Sequence, residues 1–366
     1  MMKKLVIIGC GPRGLAMALR ASLYKEYDVT VIDPDPLITW SFPYMIEDLQ
    51  MRSPISFDLT TLCPDLKEFS LSNHLNYTYE YANQFEVEIC DILCTRKDFI
   101  NYLKSLFKLL KNSTNVKFIF DQALLIKDGN ITCNTVNVNY DYLIISAGKN
   151  NHCIETPSYL KNKPLITLQD LLLKRNKSKY LNVIGSGQQA AEIVEYAARQ
   201  NLYVNWIQKH TPIIKQYPTP CILDWGVKSA LSSYYSTLHR SDYKNTYLKE
   251  VKEWGPSITP HIALKLEEVN YSILNPNTTE YLNKIADNIL ALGFKQEVKL
   301  LDLDFNLDLD PQANHFPKIQ KDFQSTSNPN IYFTGLLALR FDGPRQGSVI
   351  SAALTANKIM QSILNN

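Results

Sequence analysis

Leu5 to Ile8 is a wholly apolar run that stops at a glycine turn and passes into a stretch of helical periodicity. A run of this kind reads as a parallel strand buried on both faces, here Lys4 to Ile8, with a helix from Gly14 to about Tyr24. VTVID, ending at Asp33, reads as the next strand, so the chain opens with a βαβ unit. The pattern returns near Tyr180 with YLNVI, a second glycine turn, an amphipathic run through VEYA, and the strand LYVNWIQ. Between the two units, Phe99, Leu103, Leu106, Phe107 and Leu110 lie at helical spacing behind Asp98, an acid suited to the positive end of a helix. VKFIF, the stretch from ITC to VNV, and YDYLIISAG read as strands, the last running into a tight turn at Gly148. From Thr211 to about Asn275 the pattern breaks down into a tyrosine-rich stretch that reads as largely helical. ADNILALGF and NPNIYFTG then restore buried strands, and SVISAALTANKIMQSIL closes the chain as an amphipathic helix.

Alternating strands and helices predict an α/β fold class with two Rossmann-like, doubly wound domains, one inserted into the other. The expected limits are residues 1–154 and 295–366 for the first domain and 155–294 for the second, with the helical insert at about 211–275. NHCIETPSYLKNKP reads as the linker between them.

The two turns carry nucleotide fingerprints whose first glycines, Gly9 and Gly185, stand 176 residues apart. In the first, GCGPRG, Gly9 permits the tight turn, Gly11 lets the backbone approach a diphosphate, and Gly14 allows close helix packing. Pro12 and Arg13 lie within this turn, and Asp33 stands 24 residues beyond Gly9 at a strand end, where it can accept from ribose hydroxyls. The bland reading of Asp33 is a cap on the next turn. The second fingerprint has Gly185, Gly187 and, at the third position, Ala190. Gln188 and Gln189 follow it and can bond a diphosphate, although Gln189 fits a helix interior equally well. No acid stands at the end of its second strand, and Lys209 lies there instead, which favours NADPH over NADH because a carboxylate would repel a 2′-phosphate. Two such turns imply two dinucleotides, most economically FAD and the nicotinamide that reduces it.

A length of 366 residues allows two or three domains at roughly 150 residues each. The balance of 38 basic and 36 acidic side chains, without a like-charge block, points away from a nucleic-acid partner. No run approaches the ~20 apolar residues of a membrane span, so a cytoplasmic protein without membrane contact is expected. The seven cysteines contain no CxxC, and the histidines and carboxylates show no metal-ligand spacing, so no metal is expected.

These motifs resemble the flavoprotein monooxygenases with two dinucleotide-binding domains, and within them the lysine/ornithine N-hydroxylase group. Trp40 followed by MIEDLQMRSPISFDLTTLCPD is similar to that group's flavin-proximal segment, and CTRKDFINYL to its R-x-x-F-x-x-Y-L helix. ISAG, ending at Gly148, resembles the strand end that closes the first flavin lobe. ADNILALGF is similar to the strand that returns the chain from the nicotinamide domain, and NPNIYFTG, ending at Gly335, with GPRQGSVISAA to the flavin-capping segment. On this resemblance, Gln50 and Arg52 lie near the isoalloxazine and the nicotinamide, Arg52 offering positive charge to reduced flavin; a surface loop is the plain alternative for Arg52. The chain departs from the group where Ala291-Leu292-Gly293-Phe294 replaces ATGY and where Leu336 follows Gly335 in place of an aspartate.

The resemblance implies that NADPH reduces FAD and that reduced flavin captures O2 as a C4a-hydroperoxyflavin, which hydroxylates a nucleophilic nitrogen or sulfur of a small molecule. An amine or amino acid is the favoured substrate, and oligomeric state is left open. Two alternatives stay in view: an NAD(P)H-dependent flavin oxidoreductase lacking a CxxC, and a flavin-binding sensor without turnover.

Overall fold

A computed structural model describes residues 2–36, 52–54, 58–60, 63–70, 93–147, 156–214, 257–258, 260–276, 286–292, 302–311, 313–338, 349 and 352–366. The chain opens with β1 (Lys3–Ile8), α1 (Pro12–Ser22) and β2 (Tyr27–Ile32). Then come β3 (Arg52–Pro54), β4 (Leu93–Thr95), α2 (Arg96–Lys111) and β5 (Val116–Ile119). A meander of β6 (Ala123–Lys127), β7 (Asn130–Cys133) and β8 (Asn137–Asn139) leads to β9 (Tyr142–Ile145). The second unit holds α3 (Leu168–Leu172), β10 (Tyr180–Ile184), α4 (Gln188–Arg199) and β11 (Tyr203–Ile207). It continues through β12 (Ile213–Ile214), β13 (Ser257–Ile258), α5 (Pro260–Glu267), β14 (Ser272–Leu274) and β15 (Asp287–Leu290). The chain returns by β16 (Asp302–Leu303), β17 (Leu309–Asp310), β18 (Ala313–Pro317) and β19 (Ile331–Phe333), and ends in α6 (Ala352–Asn365).

Two wholly parallel sheets dominate. The first runs β19-β9-β1-β2-β5 and the second β14-β11-β10-β15, so the second sheet is built from chain lying between strands of the first. The expected α/β class and the two doubly wound units are therefore present, while the junctions near 154 and 294 fall outside the described residues. Strands buried on both faces must be apolar throughout, which is why Leu5 to Ile8 and Tyr142 to Ile145 carry no charged side chain. Among the described residues, no helix is long and apolar enough to cross a membrane.

Three local expectations shift. The first helix begins at Pro12, before Gly14, because Gly11 takes the extended N-cap conformation and proline suits the first helical position, where no N–H is needed. The final strand of the expected insert, β14, pairs with β11 and belongs to the second sheet; most of the rest of that insert, 215–256, lies outside the described residues. Strand β6 also gains a partner that no local pattern announces, since β16 adds to it across Asp302↔Leu125 and Leu303↔Ile126.

A polar ladder crosses the otherwise apolar second sheet. Asn205 Nδ2 donates to Asn182 Oδ1 at 3.0 Å, and Asn182 Nδ2 to Asn288 Oδ1 at 2.9 Å. Asn288 Nδ2 then donates to the Pro164 carbonyl at 2.9 Å, so the amides satisfy one another and tie the incoming chain to the sheet.

Candidate dinucleotide sites

The two glycine turns are wired alike. At the first, Gly9 N–H donates to the Ile32 carbonyl at 2.8 Å, and Ser146 N–H to the Ile8 carbonyl at 2.8 Å. At the second, Gly185 N–H donates to Ile207 O at 3.1 Å, and Ala291 N–H to Ile184 O at 2.8 Å. Each turn thus sits at the carboxyl end of its central strand, where strands diverge to both sides and ligands of open α/β sheets bind. The correspondence also pairs residues that follow these bonds: Asp33 with Gln208, and Ser146 with Ala291.

The first turn is held close against its surroundings. Gly9 has φ +97°, and a Cβ there would stand 2.6 Å from the Ser146 carbonyl oxygen. A Cβ at Gly14 would overlap the Gly9 carbonyl, and one at Gly335 would lie 3.2 Å from Arg13 Cδ. Gly335, at the end of β19, therefore meets Arg13 at the start of α1, two expected site residues brought together by the sheet. Helix α1 has no side-chain cap and no acid in its first turn, which leaves its N-terminal N–H groups and positive dipole end for an anion.

Asp33 caps the turn that follows β2. Its Oδ2 accepts from Cys10 N–H at 2.6 Å, which draws the carboxylate over the turn, and its Oδ1 accepts from Asp35 N–H at 2.8 Å. Each oxygen retains a second lone pair for a hydroxyl. Cys10 is fully buried, and burial, with the Asp33 charge beside it, pushes its thiol up to about 12. Ser146 is also buried, and its Oγ has no hydrogen-bond partner among the described residues. An uncapped helix end, a turn packed too closely for any Cβ at Gly9 or Gly14, and an orphaned hydroxyl fit a dinucleotide diphosphate.

At the second turn Gly185 has φ +144°, and a Cβ there would overlap the Ala291 carbonyl. Trp206, buried, donates its Nε1–H to the Gly185 carbonyl at 2.7 Å and braces the turn from the neighbouring strand. Gly187 is the N-cap of α4, again without a side-chain cap, and a Cβ there would meet nothing within 4 Å. Ala190 is fully buried and packs in the second core, so the third fingerprint position accommodates a methyl here where Gly14 does not. Gln188 and Gln189 are half-buried, with Gln188 Nε2 donating to the buried Glu192 at 3.0 Å. Lys209 is exposed, one residue past Gln208.

Of the remaining expected residues, Trp40, Gln50 and Gly148 lie outside the described residues, and Arg52 is placed by its backbone alone, paired with Thr95 across β3 and β4. Tyr102 and Asp58 lie in the CTRKDFINYL and MIEDLQMRSPISFDLTTLCPD segments, where the sequence assigns neither a role. Tyr102, buried on α2, donates to Asp58 Oδ1 at 2.6 Å and accepts from Leu59 N–H at 2.7 Å. Asp58 also accepts from Thr60 N–H at 2.9 Å and from the Thr60 and Ser70 hydroxyls. Burial foremost, then the Asp58 charge, holds the Tyr102 hydroxyl far above the ordinary tyrosine range. The cluster anchors the chain that follows β3. A tyrosine at helical spacing from Phe99 was a signal, because a buried phenol needs a partner.

Fold and turns together define a protein with two dinucleotide-binding units of the flavoprotein type. The L-lysine 6-monooxygenase/L-ornithine 5-monooxygenase family model matches residues 1–261, and the chain belongs to this family. None of the curated proteins gives a significant match. Solved structures share the fold at low identity. An ornithine N-hydroxylase from Kutzneria sp. 744, with reduced FAD, NADP+ and L-ornithine, is 14% identical with a TM-score of 0.77, covering 100% of this chain and 99% of that one. The FAD-bound cadaverine monooxygenase of desferrioxamine biosynthesis from Erwinia amylovora is 14% identical with a TM-score of 0.73, covering 100% and 95%. L-Lysine 6-monooxygenase from Pseudomonas syringae is 15% identical with a TM-score of 0.72, covering 99% of each chain.

Proposed function

We propose that the protein is an FAD- and NADPH-dependent monooxygenase that hydroxylates the terminal amine of a small diamine or basic amino acid. The balanced reaction is R–NH2 + NADPH + O2 + H+ → R–NHOH + NADP+ + H2O. The observation that carries the reading is the pair of identically wired, uncapped glycine turns in a chain of this family. FAD belongs at the first turn and NADPH at the second, and bound flavin supplies the two-electron relay and the activation of O2.

The chain's own residues do the rest. Gly9, Gly11 and Gly14 admit the flavin diphosphate to the α1 N-terminus, where backbone N–H groups and the helix dipole offset its charge. Asp33 holds the ribose through its remaining lone pairs, and the orphaned Ser146 hydroxyl finds an acceptor on the same ligand. Gly185, Gly187 and Gln188 form the corresponding cradle for NADPH. Arg52 and Gln50 are assigned to the flavin edge by the resemblance of their segment. The domain limits 1–154 with 295–366, and 155–294, are proposed on the same basis.

The test is a mass-spectrometric screen of the FAD-loaded protein with NADPH, O2 and a panel holding L-lysine, L-ornithine, cadaverine and thioether controls. Gain of one oxygen atom by an amine, coupled to NADPH oxidation, is expected. NADPH oxidation that yields only hydrogen peroxide with every amine would overturn the reading and favour a plain flavin oxidoreductase. A colourless protein that refuses FAD would overturn it entirely.

A further inference from the structure

We propose that Gln208 selects the phosphorylated over the unphosphorylated nicotinamide dinucleotide, through its side-chain amide at the ribose of the coenzyme's adenosine half. The inference rests on the function proposed above and adds a residue to it. Three observations carry it. The first is register. Ile207 accepts from Gly185 N–H as Ile32 accepts from Gly9 N–H, so Gln208 stands in the second unit where Asp33 stands in the first. Its own N–H still donates to Leu274 O at 3.0 Å, so the residue is fixed in extended alignment at the sheet's carboxyl edge.

The second observation is an unmet donor. Gln208 is 7% exposed, and its Nε2 is buried without a hydrogen-bond partner among the described residues. Buried polar groups are nearly always satisfied, so an orphaned amide beside a ligand cradle marks a bond that the ligand completes. The third is direction. Side chains two apart on a strand share a face, and Trp206 already reaches the Gly185 carbonyl from that face. Gln208 follows on the same side, one residue past the Ile207 carbonyl that holds the Gly185 turn ahead of the uncapped helix start.

The chemistry then separates the two coenzymes. A carboxylate at this position accepts from the two ribose hydroxyls and repels a 2′-phosphate. An amide brings no repulsion, and its N–H groups donate to phosphate oxygens. Lys209, next in the chain, is exposed, so water and salt screen its attraction. Selection therefore falls to the buried amide.

The test titrates the full-length, FAD-loaded protein with NADP+ and with NAD+, following intrinsic fluorescence and melting temperature, with no turnover required. Gln208→Glu is expected to weaken NADP+ about tenfold or more, the worth of one bond to a charged group, and to strengthen NAD+. Gln208→Leu is expected to weaken NADP+ about tenfold while the ligand-free melting temperature holds or rises, because the unmet donor is gone. Should Gln208→Glu fail to fold, Gln208→Leu decides alone. Lys209→Ala should change affinity less and only at low salt. A wild-type NADP+/NAD+ preference in the folded Gln208 variants would overturn the assignment and leave the proposed function standing. Failure of the wild type, with FAD bound, to bind either dinucleotide would overturn both.

Discussion

Gly187→Ala separates folding from coenzyme binding more cleanly than any other change at these turns. A methyl here meets no atom within 4 Å, and the residue's φ of −94° with ψ of −178° is ordinary extended backbone. Two small effects on stability oppose each other. Alanine is a poorer N-cap than glycine, a loss of about 0.5–1 kcal/mol, while glycine's greater freedom in the unfolded chain gives back about 0.4–1 kcal/mol. The net is near zero, so the melting temperature should move by no more than about two degrees. Binding is another matter. The diphosphate must approach the backbone closely to reach the α4 N–H groups, and the methyl takes that space. NADP+ affinity should fall about tenfold or more, measured by fluorescence titration of the FAD-loaded protein. Gly185→Ala is the counterpart: with φ +144° and a Cβ overlapping the Ala291 carbonyl, it should lose about 1–3 kcal/mol of stability together with binding. A Gly187→Ala protein of unchanged stability that binds NADP+ as tightly as wild type would refute the reasoning, because no diphosphate could then lie against that turn.

Other consequences concern the first unit. Gly14→Ala forces a methyl against the Gly9 carbonyl, so the flavin turn must open; the purified protein should carry less FAD by its visible absorbance and lose about 1–3 kcal/mol in urea melts. Tyr102→Phe removes a buried hydroxyl from Asp58 and Leu59 N–H and should cost about 1–3 kcal/mol. Because the fold holds Tyr102 protonated while the unfolded chain releases its proton near ~10, this tyrosine's share of stability is intact below that pH and is lost as pH rises beyond it. The alkaline fall in wild-type stability should therefore be shallower in Tyr102→Phe, though not absent, since Tyr27, Tyr140, Tyr271 and Tyr332 are also shifted upward by burial. Cys10, with its thiol pushed up to about 12 and no exposed surface, should resist iodoacetamide at neutral pH until urea unfolds the chain, as peptide mass spectrometry would show.

Local pattern announced both βαβ units, the last helix and the glycine cradles. Strand periodicity, turn glycines and the helix starts that follow them are short-range properties, and each was complete within some 25 residues. The sequence was also enough to see that no acid ends β11, which turned attention to Lys209. Only register across the sheet showed that Gln208, and not Lys209, occupies the place of Asp33, and only burial showed that its amide lacks a partner among the described residues. Membership of β14 in the second sheet, the pairing of β16 with β6, and the meeting of Asp58 with Tyr102 were equally closed to a reader of the chain. Each depends on groups far apart in sequence, and whether a polar atom is satisfied is a property of its neighbours in space. The chain alone dictated which segments fold into the two units; the assembled sheets decided which side chain stands at each strand end and which polar atom finds a partner.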